Sequence, residues 1–155
     1  MDYLGGMAIS PAAPVPGKIL VIDDNPIIQR AVYFALRDHG YKVLMCGEVS
    51  AALKIIRAEK PDLVVVDLSF PVDTINIGGP TQDGFFVIDW LRRTPEFENI
   101  PIVIISGTEP VKYQERADSL GIKACLAKPL NKEQLLIAVQ TILGRNATAG
   151  LPDPS

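Results

Sequence analysis

Short runs of β-branched and aliphatic residues, separated by stretches with helical periodicity, constrain the fold of this chain most strongly. Three of the runs are almost continuously apolar: KILVI at 18–22, DLVVV at 62–66 and PIVII at 101–105. Such runs are typical of strands that are covered on both faces, as in the centre of a parallel sheet. Two weaker runs, YKVLM at 41–45 and ACLA at 124–127, suit the flanks of the same sheet.

Amphipathic segments with apolar residues at helical spacing lie between these runs. The apolar positions are Ile27, Ile28, Ala31, Ala35 and Leu36 in the first segment, Ala52, Leu53 and Ile56 in the second, Phe86, Val87, Trp90 and Leu91 in the third, and Leu135, Leu136, Val139, Ile142 and Leu143 in the last. The stretch 109–119 is mostly polar, which predicts a weakly anchored fourth helix. Strands that alternate with helices imply right-handed crossovers and a doubly wound α/β sheet.

Glycines and one asparagine mark the predicted helix ends. Gly40, Gly121 and Gly144 each follow a helical segment, where a left-handed residue is favoured, and Asn131 is placed to cap the last helix. In a doubly wound sheet the ligand site lies beyond the carboxyl ends of the strands. The residues that follow each strand are therefore the candidates for function.

Composition favours one folded domain. A chain of 155 residues that is 48% hydrophobic can bury one core, but it leaves no room for a second. Residues 1–17 and 145–155 are rich in proline, glycine and small residues. We expect them to form a flexible leader and a flexible tail around a body at 18–144.

Charge and hydropathy narrow the possible partners. The net charge is −3, without the dense Lys/Arg stripe that a nucleic-acid surface requires, so we expect no nucleic-acid binding. No apolar run approaches the roughly 20 residues needed to cross a bilayer. The N-terminus carries no basic export signal, and Cys46 and Cys125 are expected to be reduced thiols. These features predict a cytoplasmic protein without membrane contact.

Polar residues follow four of the predicted strands and should meet at one edge of the sheet. Asp23 and Asp24 follow the first strand, Asp67 the third, Ser106 the fourth and Lys128 the fifth. Each residue could be a helix cap or a solvated loop residue by itself. Their shared position at successive strand ends favours a functional site instead.

The residue types at this edge suit phosphoryl transfer with a divalent metal. Three neighbouring carboxylates repel one another unless a cation neutralises them, and oxygen ligands favour Mg²⁺, or Mn²⁺ in its place. We expect Asp24 and Asp67 to bind the metal, with Asp23 acting directly or through water. Asp67 could attack phosphorus, while Lys128 and Ser106 contact the peripheral phosphoryl oxygens.

The motifs VIDDNP, VVVDLSFP, VIISGT and LAKPL, in this order, resemble the receiver domain of bacterial response regulators. The resemblance implies a flavodoxin-like fold with a five-stranded parallel sheet of order 2-1-3-4-5. It also implies that a histidine kinase or histidine phosphotransfer protein phosphorylates Asp67. Mg²⁺ would be held by Asp24, Asp67 and the backbone carbonyl of Ser69, and Lys128 and Ser106 would contact the phosphoryl group.

By the same resemblance, phosphorylation switches protein contacts on the face near the fourth helix and fifth strand, where a downstream protein or a second copy could bind. Three features depart from the family. About nine extra residues lie within 72–82, beyond the usual length of a βα loop, as a surface bulge or as a flap over the site. Cys125 replaces the aromatic residue that usually moves on activation, so signalling would pass through Ser106 and the fourth helix. Gly107, where alanine is common, would loosen the loop after Ser106.

Two other functions remain possible from the sequence. One is a degenerate receiver that serves only as a docking module. The other, a metal-dependent phosphohydrolase resembling the haloacid dehalogenase group, is disfavoured because Ser69 stands where those enzymes usually carry an acid. The expected protein is therefore not an enzyme toward external substrates.

Overall fold

The computed structural model describes residues 17–68, 83–107 and 113–144. Several features of the sequence analysis lie outside the described residues. They are the leader up to residue 16, Ser69, the insertion at 72–82, the start of the predicted fourth helix and the predicted tail. Within these ranges, no helix is both long enough and apolar enough to cross a membrane.

Five parallel strands form one sheet in the order β2-β1-β3-β4-β5, as predicted. Their bounds are β1 Lys18–Ile22, β2 Lys42–Cys46, β3 Leu63–Asp67, β4 Ile102–Ser106 and β5 Ala124–Ala127. In this order β3 occupies the centre, and the crossovers place helices on both faces.

The predicted ends of β3 and β4 were wrong by one residue. Asp67 and Ser106 do not follow these strands but are their last residues, and Asp67 is in register with Ile105. Backbone groups form the ladder whatever the polarity of the side chain, so a strand continues through a polar residue where its neighbour still pairs. Both functional candidates are therefore fixed by the sheet itself.

Within the described ranges, five helices connect and cover the strands. Their bounds are α1 Pro26–Arg37, α2 Val49–Glu59, α3 Asp83–Arg93, α4 Gln114–Ser119 and α5 Lys132–Leu143. Asn131 caps α5 as predicted, because its side chain accepts a hydrogen bond from the Gln134 backbone N–H at 2.9 Å. Gly144, which ends α5, has the expected positive φ of 73°.

The side chains of each strand alternate between two hydrophobic clusters, one on each face of the sheet. This explains why the central runs are apolar throughout. The first cluster joins the sheet to α2, α3 and α4 through residues such as Ile56, Phe85, Leu91 and Ala117. The second joins it to α1 and α5 through Val32, Leu36, Leu135 and Val139.

Two apolar residues of the predicted helical stripes face solvent instead. Ile27 is 78% exposed and Phe86 is 38% exposed. Ile27 lies in the first turn of α1, beyond the end of β1, where the sheet offers nothing to cover it. Phe86 is turned away from the sheet because its neighbour Phe85, only 2% exposed, takes the inward position.

Candidate functional site

The carboxyl edge of the sheet brings together all five side chains that the sequence singled out and that lie within the described residues. Asp23 and Asp24 follow β1, Asp67 ends β3, Ser106 ends β4, and Lys128 follows β5. The Lys128 backbone N–H donates to the Ser106 carbonyl at 3.0 Å, which continues the pairing of β4 with β5 to the edge of the site. The parallel strands therefore position each residue from a rigid backbone.

Three carboxylates form the acidic part of the site. One oxygen each from Asp23, Asp24 and Asp67 lies within 4.8 Å of the others. Asp23 and Asp67 are almost fully buried, at 1% and 2% exposure, whereas Asp24 is exposed. Two of the three charges are therefore poorly screened by water, and each raises the cost of ionising its neighbours.

The pKa of Asp23 shows most clearly that ionisation is unfavourable here. Its burial, together with the charges of Asp67 and Asp24, raises the pKa of the carboxyl from 3.8 to about 6, although the backbone N–H of Asn25 and the charge of Lys128 act in the opposite direction. Oδ1 of Asp23 accepts a hydrogen bond from that N–H at 2.8 Å. Its buried Oδ2 has no hydrogen-bond partner among the described residues.

These donors fit a hard divalent cation. Three carboxylate oxygens at short range, one of them buried and unpaired, are the ligands that Mg²⁺ or Mn²⁺ prefers. Asp23, Asp24 and Asp67 are the side chains that would hold it. A bound cation would supply positive charge to the carboxylates and to phosphoryl oxygens.

The basic and hydroxyl groups come from β4 and from the residue after β5, on one side of Asp67. Asp23 and Asp24 follow β1, on its other side. Lys128 Nζ donates to Asp67 Oδ2 at 3.0 Å, and its side chain is 25% exposed. Ser106, at 1% exposure, ends the neighbouring strand β4. A buried carboxylate with a lysine on one oxygen can act as a nucleophile and place its product beside positive charge.

Gln29 supports the site in a way that the sequence reasoning missed. Its side-chain amide on α1 donates to the carbonyl of Asp23 and also to the carbonyl of Cys46 at 3.3 Å. It thereby joins the carboxyl ends of β1 and β2 to the first turn of α1. The available signal was a polar residue in the first turn of an amphipathic helix.

Gly84 gives the site its shape from the other side. A Cβ at this position would lie 2.8 Å from the Asp67 carbonyl oxygen and 3.0 Å from Leu68 Cα, both backbone atoms. The second residue of α3 must therefore be glycine for the helix to approach the end of β3 this closely.

Tyr113 is a second residue that the sequence reasoning did not assign to the site. It directly precedes α4 and is 8% exposed. Burial and the neighbouring Cys125 raise the pKa of its hydroxyl, and the nearby Ser106 side chain acts in the opposite direction. Cys125 itself lies on β5, in register with Ile104, and packs against the hydrophobic cluster that contains Tyr113. The available sequence signal was the small residue Cys125 at a position where the family usually has an aromatic residue.

Comparison with known proteins identifies the family. The sequence model of the family described as response regulator receiver domain matches residues 19–140 of this chain. The chain therefore belongs to the receiver domains of response regulators in two-component systems. In this family, receiver domains take phosphoryl groups from histidine kinases, and Mg²⁺ and phosphoaspartate are typical.

Several curated relatives are response regulators or transcriptional regulators. The chain is 26% identical to the probable transcriptional regulatory protein TcrX of Mycobacterium tuberculosis, over 84% of this chain and 51% of TcrX. It is 30% identical to the probable transcriptional regulator ycf27 of Porphyridium aerugineum, over 83% of this chain and 48% of ycf27. It thus spans about half the length of these two relatives. DivK of Brucella anthropi, a polar-differentiation response regulator, is 22% identical, and the match covers 98% of it.

Solved structures of response regulators share the fold of this chain. The chemotaxis response regulator CheY4 of Vibrio cholerae is 29% identical, with a TM-score of 0.69, over 81% of this chain and 98% of CheY4. A putative response regulator from Chloroflexus aurantiacus is 24% identical, with a TM-score of 0.70, over 84% of this chain and 99% of that one. The second likeness concerns the fold alone.

Proposed function

We propose that Asp67 accepts a phosphoryl group from the phosphohistidine of a histidine kinase or a histidine phosphotransfer protein. One observation carries this proposal: buried Asp67 lies between two further carboxylates, within 4.8 Å, and the ammonium of Lys128 at 3.0 Å. That environment combines a nucleophile with the means to balance the charge of its phosphorylated form.

Each residue has a distinct role in the transfer. An Asp67 carboxylate oxygen attacks phosphorus while the bond between phosphorus and the donor's imidazole nitrogen breaks, and the bonding electrons remain with the imidazole. Lys128 turns its ammonium from the carboxylate to one phosphoryl oxygen, and the Ser106 hydroxyl donates to another. Positioning and charge are the main requirements of such a reaction, so no separate acid or base is needed.

The metal ligands in this proposal are the side chains of Asp23, Asp24 and Asp67, with Mg²⁺ or Mn²⁺ as the ion. The backbone carbonyl of Ser69 completes the proposed set by resemblance to the family. Asp23 is suited to the role because its unpaired, buried Oδ2 gains a partner when a cation binds.

The phosphorylated domain would act by changing protein contacts in a phosphorelay. We propose the face of α4 and β5 as the output surface, for a downstream protein or a second copy of the chain, in the cytoplasm. The net charge of −3 favours a protein over a nucleic acid as the direct partner of this chain.

Mass spectrometry after incubation with Mg²⁺ and acetyl phosphate tests the proposal. We expect the intact protein to gain the mass of one phosphoryl group, located at Asp67 after borohydride reduction and digestion. Asp67→Asn should abolish the gain, and so should chelation of the metal. Asp38→Asn is the matched control, because Asp38 is an exposed carboxylate at the far end of α1. An unmodified wild-type chain, or modification that survives in Asp67→Asn, would contradict the proposal.

A further inference from the structure

Gln29 holds the peptide group that joins Asp23 to Asp24. Its side-chain nitrogen donates one hydrogen bond to the Asp23 carbonyl and a second to the Cys46 carbonyl at 3.3 Å. An amide nitrogen carries two protons, so it can serve both carbonyls at once. Gln29 lies in the first turn of α1, where its backbone N–H donates to the Asn25 carbonyl at 3.0 Å. The helix therefore positions the amide, and the amide holds the strand end.

The direction of this peptide group decides where the two neighbouring carboxylates point. A peptide unit is planar, so fixing the Asp23 carbonyl also fixes the N–H and the Cα of Asp24. Asp24 is exposed, so packing does little to orient its side chain. Its position within 4.8 Å of the Asp23 and Asp67 oxygens therefore depends on the backbone that Gln29 holds.

Asp23 is held at three points of its own. Its backbone N–H donates to the Cys46 carbonyl at 3.0 Å, its carbonyl accepts from Gln29, and its Oδ1 accepts from the Asn25 backbone N–H at 2.8 Å. Its Oδ2 is buried and has no hydrogen-bond partner within the described part of the chain. These contacts leave that oxygen as the part of Asp23 that is available to a cation.

The neutrality of Gln29 is important beside a cation site. An arginine or a lysine could also donate to carbonyls, but its positive charge would oppose the binding of a cation. An amide supplies the hydrogen bonds without that charge. Groups that orient the ligands of a metal in this way affect its affinity although they do not touch the ion.

We propose that Gln29 is a positioning residue that sets the affinity of the site formed by Asp23, Asp24 and Asp67 for a divalent cation, because it fixes the peptide group between the first two. This inference rests on the proposed function, and in particular on its metal site. It assigns to Gln29 an effect on cation binding and no contact with the phosphoryl group.

Isothermal titration calorimetry of the full, unphosphorylated chain with Mg²⁺ tests this inference. Gln29→Met has nearly the same length but no N–H to donate. We expect its Kd for Mg²⁺ to rise roughly tenfold, the lower end of the range for loss of an outer hydrogen-bond partner of a metal ligand. At Mg²⁺ concentrations that saturate each protein, the rate of Asp67 phosphorylation by acetyl phosphate should stay within roughly twofold of the wild-type rate, because only binding is weakened.

Gln140→Met is the matched control. Gln140 is a buried glutamine, at 5% exposure, near the carboxyl end of α5. Its variant should keep the wild-type Kd for Mg²⁺, whatever its stability in a urea titration. Gln29→Asn keeps the amide but is one methylene shorter, so it should weaken Mg²⁺ binding as Gln29→Met does, and it takes the place of Gln29→Met if that variant fails to fold.

The outcomes separate this inference from the proposed function. An unchanged Kd in the folded Gln29 variant contradicts the inference, and so does an equal rise of the Kd in Gln140→Met. A phosphorylation rate that falls tenfold at saturating Mg²⁺ would show that Gln29 acts on the transfer itself and would contradict it as well. A wild-type chain that binds Mg²⁺ but stays unmodified at Asp67 contradicts the proposed function alone, because calorimetry still measures the effect of Gln29. A wild-type chain that binds no Mg²⁺ contradicts both.

Discussion

Lys128 Nζ lies 3.0 Å from Asp67 Oδ2, so the lysine at the end of β5 reaches across β4 to the carboxylate at the end of β3. Asp67 is 2% exposed, and the contact is therefore shielded from most of the screening that weakens surface ion pairs. The contact therefore joins Asp67, the proposed nucleophile, to Lys128, the proposed partner of the phosphoryl group.

Removal of this ammonium should slow phosphorylation. We expect Lys128→Met to lower the rate of Asp67 phosphorylation by acetyl phosphate by roughly tenfold or more, because one donor to the developing charge is lost. Lys123→Met is the control, since Lys123 precedes β5 at the other edge of the sheet. Equal rates in the wild type and Lys128→Met would show that the lysine does not contact the reacting phosphoryl group.

Asp23 should make stability depend on pH when no divalent metal is present. Its pKa is 3.8 ordinarily and about 6 in the folded chain, so the folded state binds this proton more tightly than the unfolded state does. The contribution of Asp23 to stability is thus present below about pH 4 and is lost as the pH rises toward about 6.

In chelator at pH 8, Asp23→Asn should therefore be more stable than the wild type, by about 1 to 3 kcal/mol. Urea titration measures the difference, which should largely disappear at pH 4. Mg²⁺ should reverse the order at pH 8, because the wild type keeps all three carboxylates for the ion. An Asp23→Asn variant that is less stable than the wild type in chelator at pH 8 would show that Asp23 is not a strained carboxylate.

Gly84→Ala should destabilise the fold although alanine is the better helix former. A methyl group there would lie 2.8 Å from the Asp67 carbonyl oxygen, and backbone atoms cannot move aside easily. We expect a loss of about 1 to 3 kcal/mol in the free energy of unfolding. Gly107→Ala is the control, because its nearest contact would be the flexible Lys128 side chain at 3.8 Å. Similar stabilities for the two variants would contradict the proposed tight approach of α3 to β3.

Arg116 should govern how firmly α4 is held. Its guanidinium donates to Asp89 at 2.7 Å and lies 4.3 Å from the centre of the Phe85 ring, so it links α4 to α3. Arg116→Met should increase amide hydrogen exchange in α4 roughly fivefold, corresponding to about 1 kcal/mol. Arg57→Met removes a comparable contact, with Trp90 at 5.2 Å, and should leave exchange in α4 unchanged. If exchange in α4 rises equally in both variants, Arg116 is not a specific anchor of this helix.

The sequence predicted the architecture well because its signals are local. The apolar runs predicted the five strands, and Asn131 and Gly144 marked the ends of α5. The order of the sheet came from the resemblance to receiver domains. The strand ends were displaced by one residue at Asp67 and Ser106, because the polarity of a side chain does not decide where a backbone ladder stops.

The candidate site was predicted in part. The sequence indicated that Asp23, Asp24, Asp67, Ser106 and Lys128 would meet, since residues at the carboxyl ends of parallel strands share one edge. It did not indicate the role of Gln29. The importance of this helix residue depends on a contact with the end of β2, which is distant in the sequence.

The chain's own amino acids determined which residues could react, because carboxylates, a hydroxyl and a lysine keep their chemistry wherever they lie. Only the tertiary structure decided their environment. Burial of Asp23 beside Asp67 and the approach of Lys128 to Asp67 arise when separate strands and helices pack together. The physical reason is that desolvation and charge interaction depend on distances through space, which no local pattern in a sequence specifies.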